Sequence, residues 1–286
     1  MDGLSGLNGV ADVRMAGLTA AMTDAVTAIE AYVTAASRAA RASLSLPDGK
    51  PDRAAFERHQ HRAHGLSWVA TYLETLRQTA GWAARLEADG QFGDVEALLC
   101  QVLFGEYCAQ LIGGIPMNQG EMVRPADLGC SAADMQLLFA PPILRFIQEG
   151  KTPDVMAAAA TFLPDALSRN TVERTGLDET MEMVRDQFAK FAATRIKPFA
   201  HGWHLKNDYI PMDVVNEMAE LGVFGLTIPE ELGGLGMGKT AMCVVSEELS
   251  RGYIGTGSLG TRSEIAAELI LIGGTPEQKA KWLPAI

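Results

Sequence analysis

Two pairs of adjacent glutamates carry the side chains best suited to moving a proton. Glu230 and Glu231 follow a proline, and Glu247 and Glu248 lie in a segment with helical spacing of apolar residues. A carboxylate that is held against a substrate can act as a general base. The simpler interpretation places the first pair on a solvated turn and the second on a solvated helix face. We favour that interpretation, and neither pair is assigned a catalytic role.

Three histidines in one short segment, His59, His61 and His64, are the residue type that binds transition metals. A zinc site needs further ligands at suitable spacing, and no carboxylate or cysteine completes this set. His59 and His61 also fall on different faces of a helix, so we favour a solvated surface and predict no metal site. The four cysteines, at positions 100, 108, 130 and 243, show no C-x-x-C spacing. We expect free thiols in a reducing compartment.

The composition is that of an ordinary globular protein, with 48% hydrophobic and 21% charged residues. The net charge of −11 argues against general binding to nucleic acid or to anionic membranes. Residues 1–25 lack a basic start, and we find no apolar run of the roughly 20 residues that a bilayer requires. We therefore expect a cytoplasmic protein without nucleic-acid or membrane partners.

A glycine-rich segment, which we call the glycine loop, organises the second half of the chain. It covers Leu221–Met237 and reads L-G-V-F-G-L-T-I-P-E-E-L-G-G-L-G-M. Gly222 follows a helix with one apolar face, where glycine takes the left-handed conformation at little cost. The apolar run Val223–Ile228 predicts a short extended segment that Pro229 ends. Gly233–Gly236 predicts a turn in which the backbone can approach a bulky group closely.

Helices are predicted on both sides of the glycine loop, and the predicted fold class is all-α. Apolar spacing, caps and breakers predict helices over about 19–43, 52–87, 94–111, 131–148, 151–167, 178–197, 212–221, 239–251, 260–272 and 275–286. The polar run S-R-N-T-V-E-R-T-G is typical of a domain boundary. It divides the chain into a helical extension at 1–167, a linker at 168–177 and a second helical domain at 178–286.

The glycine loop resembles the acyl-CoA dehydrogenase family, whose N-terminal helical domain carries the pattern G-x-x-G-L-x-x-P-E-x-x-G-G-x-G. Each glycine, the proline and the glutamate fall in place together, whereas a lone G-G-x-G would be weak. The segments E-E-L-S-R (Glu247–Arg251) and G-T-P-E-Q-K-x-K-W-L-P (Gly274–Pro284) are similar to the same family. The resemblance implies that residues 178–286 form the family's N-terminal helical domain.

The family removes the α-proton of an acyl-CoA with a carboxylate and passes the β-hydride to FAD. In the family, the base and most FAD contacts lie in domains that follow the W-L-P helix. The resemblance therefore implies that this chain is the front part of a longer enzyme. It carries no catalytic residue, its FAD-binding residues are unknown, and the fragment alone is not expected to be active.

The resemblance also places the floor of the acyl pocket just before Gly274. The matching positions are Gly257, Ser258, Thr261, Arg262 and Ile265. The segment is polar where a fatty-acyl enzyme would prefer apolar side chains. The guanidinium of Arg262 would pair with a carboxylate, which favours a short branched or carboxylated acyl-CoA such as methylsuccinyl-CoA. The alternative is a surface ion pair between Arg262 and Glu264 or Glu268.

The N-terminal half is more loosely similar to the family's C-terminal helical bundle, in which a helix ending in Gln precedes a G-G-x-G turn. Gln110 and Gly113–Gly114 hold those places, and the second half of the turn is lost. A degenerate duplicate of that bundle and an unrelated helical bundle are both consistent with these residues.

Two functions remain at this point. The first is an FAD-dependent dehydrogenase with an acyl-CoA substrate, electron-transfer flavoprotein or a similar electron acceptor, and a homodimeric or homotetrameric assembly. The second is a non-catalytic helical interaction module derived from such an enzyme. The intact glycine loop favours the first, and a protein that truly ended at Ile286 would favour the second.

Overall fold

A computed structural model describes residues 13–162 and 174–286 of the chain. The described residues are predominantly helical, which confirms the all-α prediction. The chain forms two compact units, Met1–Gly176 and Leu177–Ile286. Residues 1–12 and 163–173 lie outside the description, and they include most of the predicted linker at 168–177. The bounds of that linker therefore stay a prediction.

Unit 1 is a bundle of helices with one small hairpin. Helix α1 packs along α3, and α4 packs against α6 and α7. The elements are α1 Leu18–Leu44, α2 Arg53–Arg58, α3 Gln60–Ala88, α4 Asp94–Gly113, β1 Ile115–Asn118, β2 Glu121–Val123, α5 Ala132–Gln136, α6 Pro141–Glu149 and α7 Pro153–Ala160.

The apolar spacing of α1 places one face of the helix in the core of unit 1. Met22, Val26, Ile29 and Val33 are all buried, as their three- and four-residue spacing predicts. On α3, Val69, Leu73 and Leu76 are buried against the same core. A core this continuous explains why α1 and α3 are long and uninterrupted.

The hairpin is a difference from the sequence prediction, which had only an irregular stretch between Gly114 and Ser131. Strands β1 and β2 pair antiparallel, with Ile115 opposite Val123. Burial alternates along β1: Ile115 and Met117 are buried, and Pro116 and Asn118 are exposed. The Asn118 side chain closes the turn by accepting a hydrogen bond from the Gly120 amide at 2.9 Å.

Two long helices of the prediction are divided in the structure. The helix predicted over 52–87 breaks at His59, where α2 ends and α3 begins. The helix predicted over 131–148 breaks before Pro141, because proline has no amide to donate and restricts the residue before it.

Helix α4 runs to Gly113, two residues past the predicted end at 111. By length and composition alone it is the one helix among the described residues that could cross a membrane, which is weak evidence. Half of its most apolar stretch is buried within the protein. Gln101, fully buried, donates from Nε2 to the carbonyls of Val13 at 2.9 Å and Glu149 at 3.1 Å. These are the contacts of a core helix.

Unit 2 is an all-helical body in which no residue lies in a strand. Helix α8 packs against α11, and α11 packs against α12. The elements are α8 Glu179–Phe191, a π-turn Ala192–Ile196, α9 Lys197–Lys206, α10 Met212–Glu220, α11 Lys239–Gly252, α12 Ile254–Gly273 and α13 Pro276–Trp282. The capping box of α13 is confirmed: Thr275 and Gln278 cap each other's backbone amides.

Pro198 does not end the first helix of unit 2, contrary to the prediction. The chain passes through the π-turn Ala192–Ile196 and continues as α9 to Lys206. Pro198 lies in the first turn of α9, where its missing amide costs no hydrogen bond. The helix ends instead at Asn207, which has a left-handed φ of 54°.

The glycine loop is compact, and the predicted extended segment Val223–Ile228 is wrong. Val223–Gly225 forms a 3-10 turn, and turns continue to Ile228. Val223, Leu226 and Ile228 are all buried, which a strand with alternating side chains could not achieve. Three backbone hydrogen bonds join the two arms of the loop. The Leu235 amide donates to the Gly225 carbonyl at 3.0 Å, the Gly236 amide to the Ile228 carbonyl at 2.8 Å, and the Met237 amide to the Leu226 carbonyl at 2.8 Å.

The sequence predicted a break between the helices over 239–251 and 260–272, at the glycines of Gly252–Gly260, but the chain is helical again from Ile254 onward. The glycines allow close packing instead of breaking the helix. A Cβ at Gly257 would lie 1.9 Å from Ser250 Oγ, and one at Gly260 would lie 3.0 Å from Val223 Cγ1. Glycine at these positions lets α12 lie directly against α11 and the glycine loop.

Candidate functional site

Helix α12 carries the five predicted substrate-binding residues, and it has an inner and an outer face. With about 3.6 residues per turn, Gly257, Gly260 and Ala267 share the inner face and are buried. Gly257 therefore lies against α11. Arg262 and Ile265 lie on the opposite, outer face and are exposed, with Ser258 and Thr261 partly exposed beside them. The outer face is the part of the predicted site that could touch a ligand.

Arg262 forms no ion pair with any residue that the structure describes, so the alternative of a surface pair with Glu264 or Glu268 is wrong. Both carboxylates bind Lys239 of α11 instead. The physical reason is helical spacing, because Glu264 and Glu268 are two and six residues from Arg262, and side chains at these spacings lie on different faces of a helix. The Arg262 guanidinium is left with all its donors available to a ligand.

Glu264 joins three elements of unit 2. Its carboxylate accepts hydrogen bonds from the Thr227 hydroxyl of the glycine loop and from the Lys239 ammonium. The Glu264 side chain is only 12% exposed, whereas that of Lys239 is 56% exposed. Lys239 donates a hydrogen bond to each carboxylate, and these bonds raise its pKa, the one to Glu264 most and the one to Glu268 second. This cluster fixes the glycine loop and α11 to α12 at the level of Arg262.

The second half of the outer face of α12 is apolar. Ile265, Leu269 and Ile272 are 60%, 69% and 82% exposed, and Trp282 of α13 is half exposed beside them. Between α12 and α13 lies an open hollow of about 510 Å³, lined by Leu269, Ile270, Gly273, Gly274, Gln278 and Trp282. The face thus changes from polar at Ser258–Arg262 to apolar at Ile265–Ile272.

The carboxylate pairs behave as predicted with one exception. Glu230, Glu231 and Glu247 are exposed. Glu248, predicted on a solvated face, is instead only 6% exposed. Burial raises the pKa of its carboxyl group, and Arg251 Nε lies 3.6 Å from Oε1. The Glu248 side chain lies on the side of α11 that faces the core, and it does not line the hollow between α12 and α13.

The histidine cluster has carboxylate neighbours that the sequence analysis missed. Glu121 lies 3.1 Å from His61 Nδ1 and 3.7 Å from His64 Nδ1, because the hairpin carries it onto α3. His64 Nε2 accepts a hydrogen bond from the Trp68 indole at 3.0 Å. No group of three or more such side chains among the described residues is arranged to hold a metal ion. All four cysteines are free.

The first comparison with known proteins concerns residues 178–286. They match the family model of the acyl-CoA dehydrogenase N-terminal domain over their whole length. Residues 178–286 belong to the acyl-CoA dehydrogenase family. The acyl-CoA dehydrogenase domain is therefore unit 2, and α12 is the helix on which the family resemblance places the acyl pocket.

Individual relatives extend this similarity. The chain is 52% identical over 264 residues to (2S)-methylsuccinyl-CoA dehydrogenase of Cereibacter sphaeroides, covering 92% of this chain and 47% of that protein. It is 35% identical over 111 residues to isobutyryl-CoA dehydrogenase of Dictyostelium discoideum, covering 39% of this chain and 26% of that protein. Glutaryl-CoA dehydrogenase of Desulfococcus multivorans is 34% identical over 118 residues, covering 38% of this chain and 29% of that protein. The chain spans about half the length, or less, of the curated relatives it matches.

The similarity to the Cereibacter protein covers a larger part of this chain than the similarity to the other two relatives does. It covers far more of the chain than the acyl-CoA dehydrogenase domain, so it includes most of unit 1. Within the family, the long N-terminal helical extension and the polar segment around Arg262 together resemble methylsuccinyl-CoA dehydrogenase most. The 52% identity confirms that resemblance.

FAD does not fit the residues described here on their own. A flavin dinucleotide needs a concave surface that covers most of the ligand. The outer face of α12 is the surface of a single helix, and the hollow beside Trp282 is open. No flavin step is therefore assigned to a residue of this chain.

Proposed function

We propose that this chain is the front part of an FAD-dependent acyl-CoA dehydrogenase that acts on a short branched or carboxylated acyl-CoA, with methylsuccinyl-CoA as the leading candidate. The observation that carries the proposal is the 52% identity over 92% of the chain to a methylsuccinyl-CoA dehydrogenase. Arg262 on the outer face of α12 supports it independently: it has no ion-pair partner among the described residues, and a second carboxylate on the acyl chain would supply one.

In this proposal the outer face of α12 forms one wall of the acyl pocket. Arg262 binds the distal carboxylate, and the hydroxyls of Ser258 and Thr261 offer further hydrogen bonds. Ile265 contacts the short alkyl part of the substrate. Gly257 contributes through packing, since any side chain there would push α12 away from Ser250.

The remaining parts of the reaction belong to the rest of the enzyme. FAD, when bound, accepts the hydride, and the general base comes from outside the residues described here. We also propose that the whole protein is a cytoplasmic homodimer or homotetramer that passes electrons to electron-transfer flavoprotein or a similar acceptor. The family resemblance supports these assignments.

The test uses a protein extended to the full length of its relatives. We expect a yellow preparation whose flavin absorbance is bleached when methylsuccinyl-CoA is added without oxygen. Isobutyryl-CoA, which is branched but lacks the second carboxylate, should bleach it more slowly. A colourless protein that no acyl-CoA affects, even after reconstitution with FAD, would contradict the proposal and support a non-catalytic helical module.

A further inference from the structure

Three charged groups accompany Arg262 on or beside α12. Glu264 and Glu268 belong to the same helix, and Lys239 reaches both of them from the first turn of α11. With Arg262, these groups carry two positive and two negative charges, so the local net charge is zero. A change to any one of them leaves the region with an excess of one sign.

Lys239 is the only cation paired with Glu264 and Glu268 among the described residues. Its side chain is 56% exposed, so it is held by these contacts more than by packing. Glu264 is largely buried and cannot turn into solvent, whereas Glu268 is 36% exposed. Without Lys239, Glu264 and Glu268 would lose the cation they share, two and six residues along α12 from Arg262.

We propose that Lys239 is a specificity-determining residue that keeps the α12 site receptive to a negatively charged acyl group. It acts through Arg262, and it has no contact with the substrate in this proposal. By neutralising Glu264 and Glu268, it prevents them from repelling the distal carboxylate that Arg262 binds. The inference rests on the proposed function, because it assumes that the outer face of α12 meets an acyl-CoA.

A purely structural role for Lys239 is the competing explanation. In that case its loss would loosen the glycine loop against α12 and reduce the turnover of every substrate alike. The electrostatic role predicts instead a change in the ratio between two substrates. That ratio is measured on one enzyme preparation, so losses from partial unfolding cancel.

The experiment uses the full-length flavoenzyme and the variant Lys239→Met. We expect the kcat/KM ratio of methylsuccinyl-CoA to isobutyryl-CoA to fall about three- to tenfold, the size of one uncompensated charge near a partly exposed site. The fall should shrink at high ionic strength, because salt screens exposed charges. Lys239→Arg should restore the ratio. Lys190→Met, which removes an exposed lysine of α8 that pairs with no carboxylate among the described residues, serves as the matched control.

A second variant separates charge from packing. Adding Glu268→Gln to Lys239→Met removes one carboxylate and returns the local charge to zero, so we expect the ratio to recover. A purely structural role predicts a ratio close to that of the wild type in both variants, with lower turnover of both substrates. An active wild type whose ratio is unchanged in Lys239→Met would overturn this inference alone. A wild type inactive toward both acyl-CoAs would overturn the proposed function, and this inference with it.

Discussion

Gly234 lies against the backbone of Ile228 across the glycine loop. A Cβ at Gly234 would lie 2.1 Å from the Ile228 carbonyl oxygen and 2.4 Å from its Cβ. The same carbonyl accepts the hydrogen bond from the Gly236 amide at 2.8 Å. The bulky group that the glycines approach is therefore the other arm of the loop itself. The glycines close the loop and so fix Thr227, the partner of Glu264.

Gly234→Ala is expected to destabilise unit 2. The added methyl group must displace backbone, so we expect the free energy of unfolding to fall by about 1–3 kcal/mol, the usual cost of overpacking. Chemical denaturation followed by circular dichroism measures it. Gly202→Ala is the control, because Gly202 lies in α9 with open space around it and should gain helix propensity. Equal effects of the two changes would contradict the close approach.

Some helix ends could be predicted from the sequence because a nearby side chain or glycine caps them. Asp178 accepts a hydrogen bond from the Met181 amide at 2.8 Å, and Thr275 begins α13 with a complete capping box. Gly222 takes the predicted left-handed conformation, with φ of 79°. These signals depend on residues within one helical turn, so the sequence alone contains them.

The features that the sequence did not predict depend on distant contacts. The π-turn packs on Gly252, where a Cβ would meet Ile196 at 3.0 Å and Ala192 at 3.2 Å. No sequence pattern near Ala192 predicts this contact. The same holds for the site: the partner of Glu264 is Lys239, 25 residues earlier in the chain.

Glu248 is expected to make the stability of unit 2 depend on pH. Its pKa is raised in the folded state by burial, so the folded protein holds this proton more tightly than the unfolded chain. The contribution is fully present below the unfolded pKa and is lost as pH rises through the folded pKa. The glutamine of Glu248→Gln stays uncharged at every pH. As pH rises from about 4 to 7, the free energy of unfolding of the variant should therefore increase relative to that of the wild type. Denaturant titrations at several pH values test this.

The control for this pH dependence is Glu220→Gln, which changes an exposed carboxylate without an ion pair among the described residues. Its pH profile should follow that of the wild type. If the Glu248→Gln profile also follows the wild type, the ion pair with Arg251 offsets the burial of the carboxylate, and the prediction is wrong.

Limited trypsin digestion is expected to separate the two units. Each unit has its own apolar core, one around Met22, Ile29 and Phe104 and one around Phe188, Met218 and Leu249. The polar run between Ser168 and Gly176 contains Arg169 and Arg174, at which trypsin can cut. We expect two stable fragments by mass spectrometry, and slower release after Arg169→Gln and Arg174→Gln. Uniform resistance of that run would count against separable domains.

Arg262→Leu is expected to change substrate choice in the full-length enzyme. A charged hydrogen bond between Arg262 and a distal carboxylate contributes about 1.5–3 kcal/mol. Its loss should lower kcat/KM for methylsuccinyl-CoA by roughly ten- to a hundredfold, at about 1.4 kcal/mol for each factor of ten. Isobutyryl-CoA has no second carboxylate and should lose much less or even gain. Steady-state kinetics with both substrates measures the difference.

Arg262→Lys is the matched control for this prediction. It keeps the positive charge and loses the planar fork that binds a carboxylate through two nitrogens. We therefore expect a loss for methylsuccinyl-CoA smaller than that of Arg262→Leu, with isobutyryl-CoA again little affected. Equal losses on both substrates, or none, would mean that Arg262 does not meet the acyl group. The outer face of α12 would then bind some other part of the complex, and the broader acyl-CoA dehydrogenase proposal would stand without its carboxylate preference.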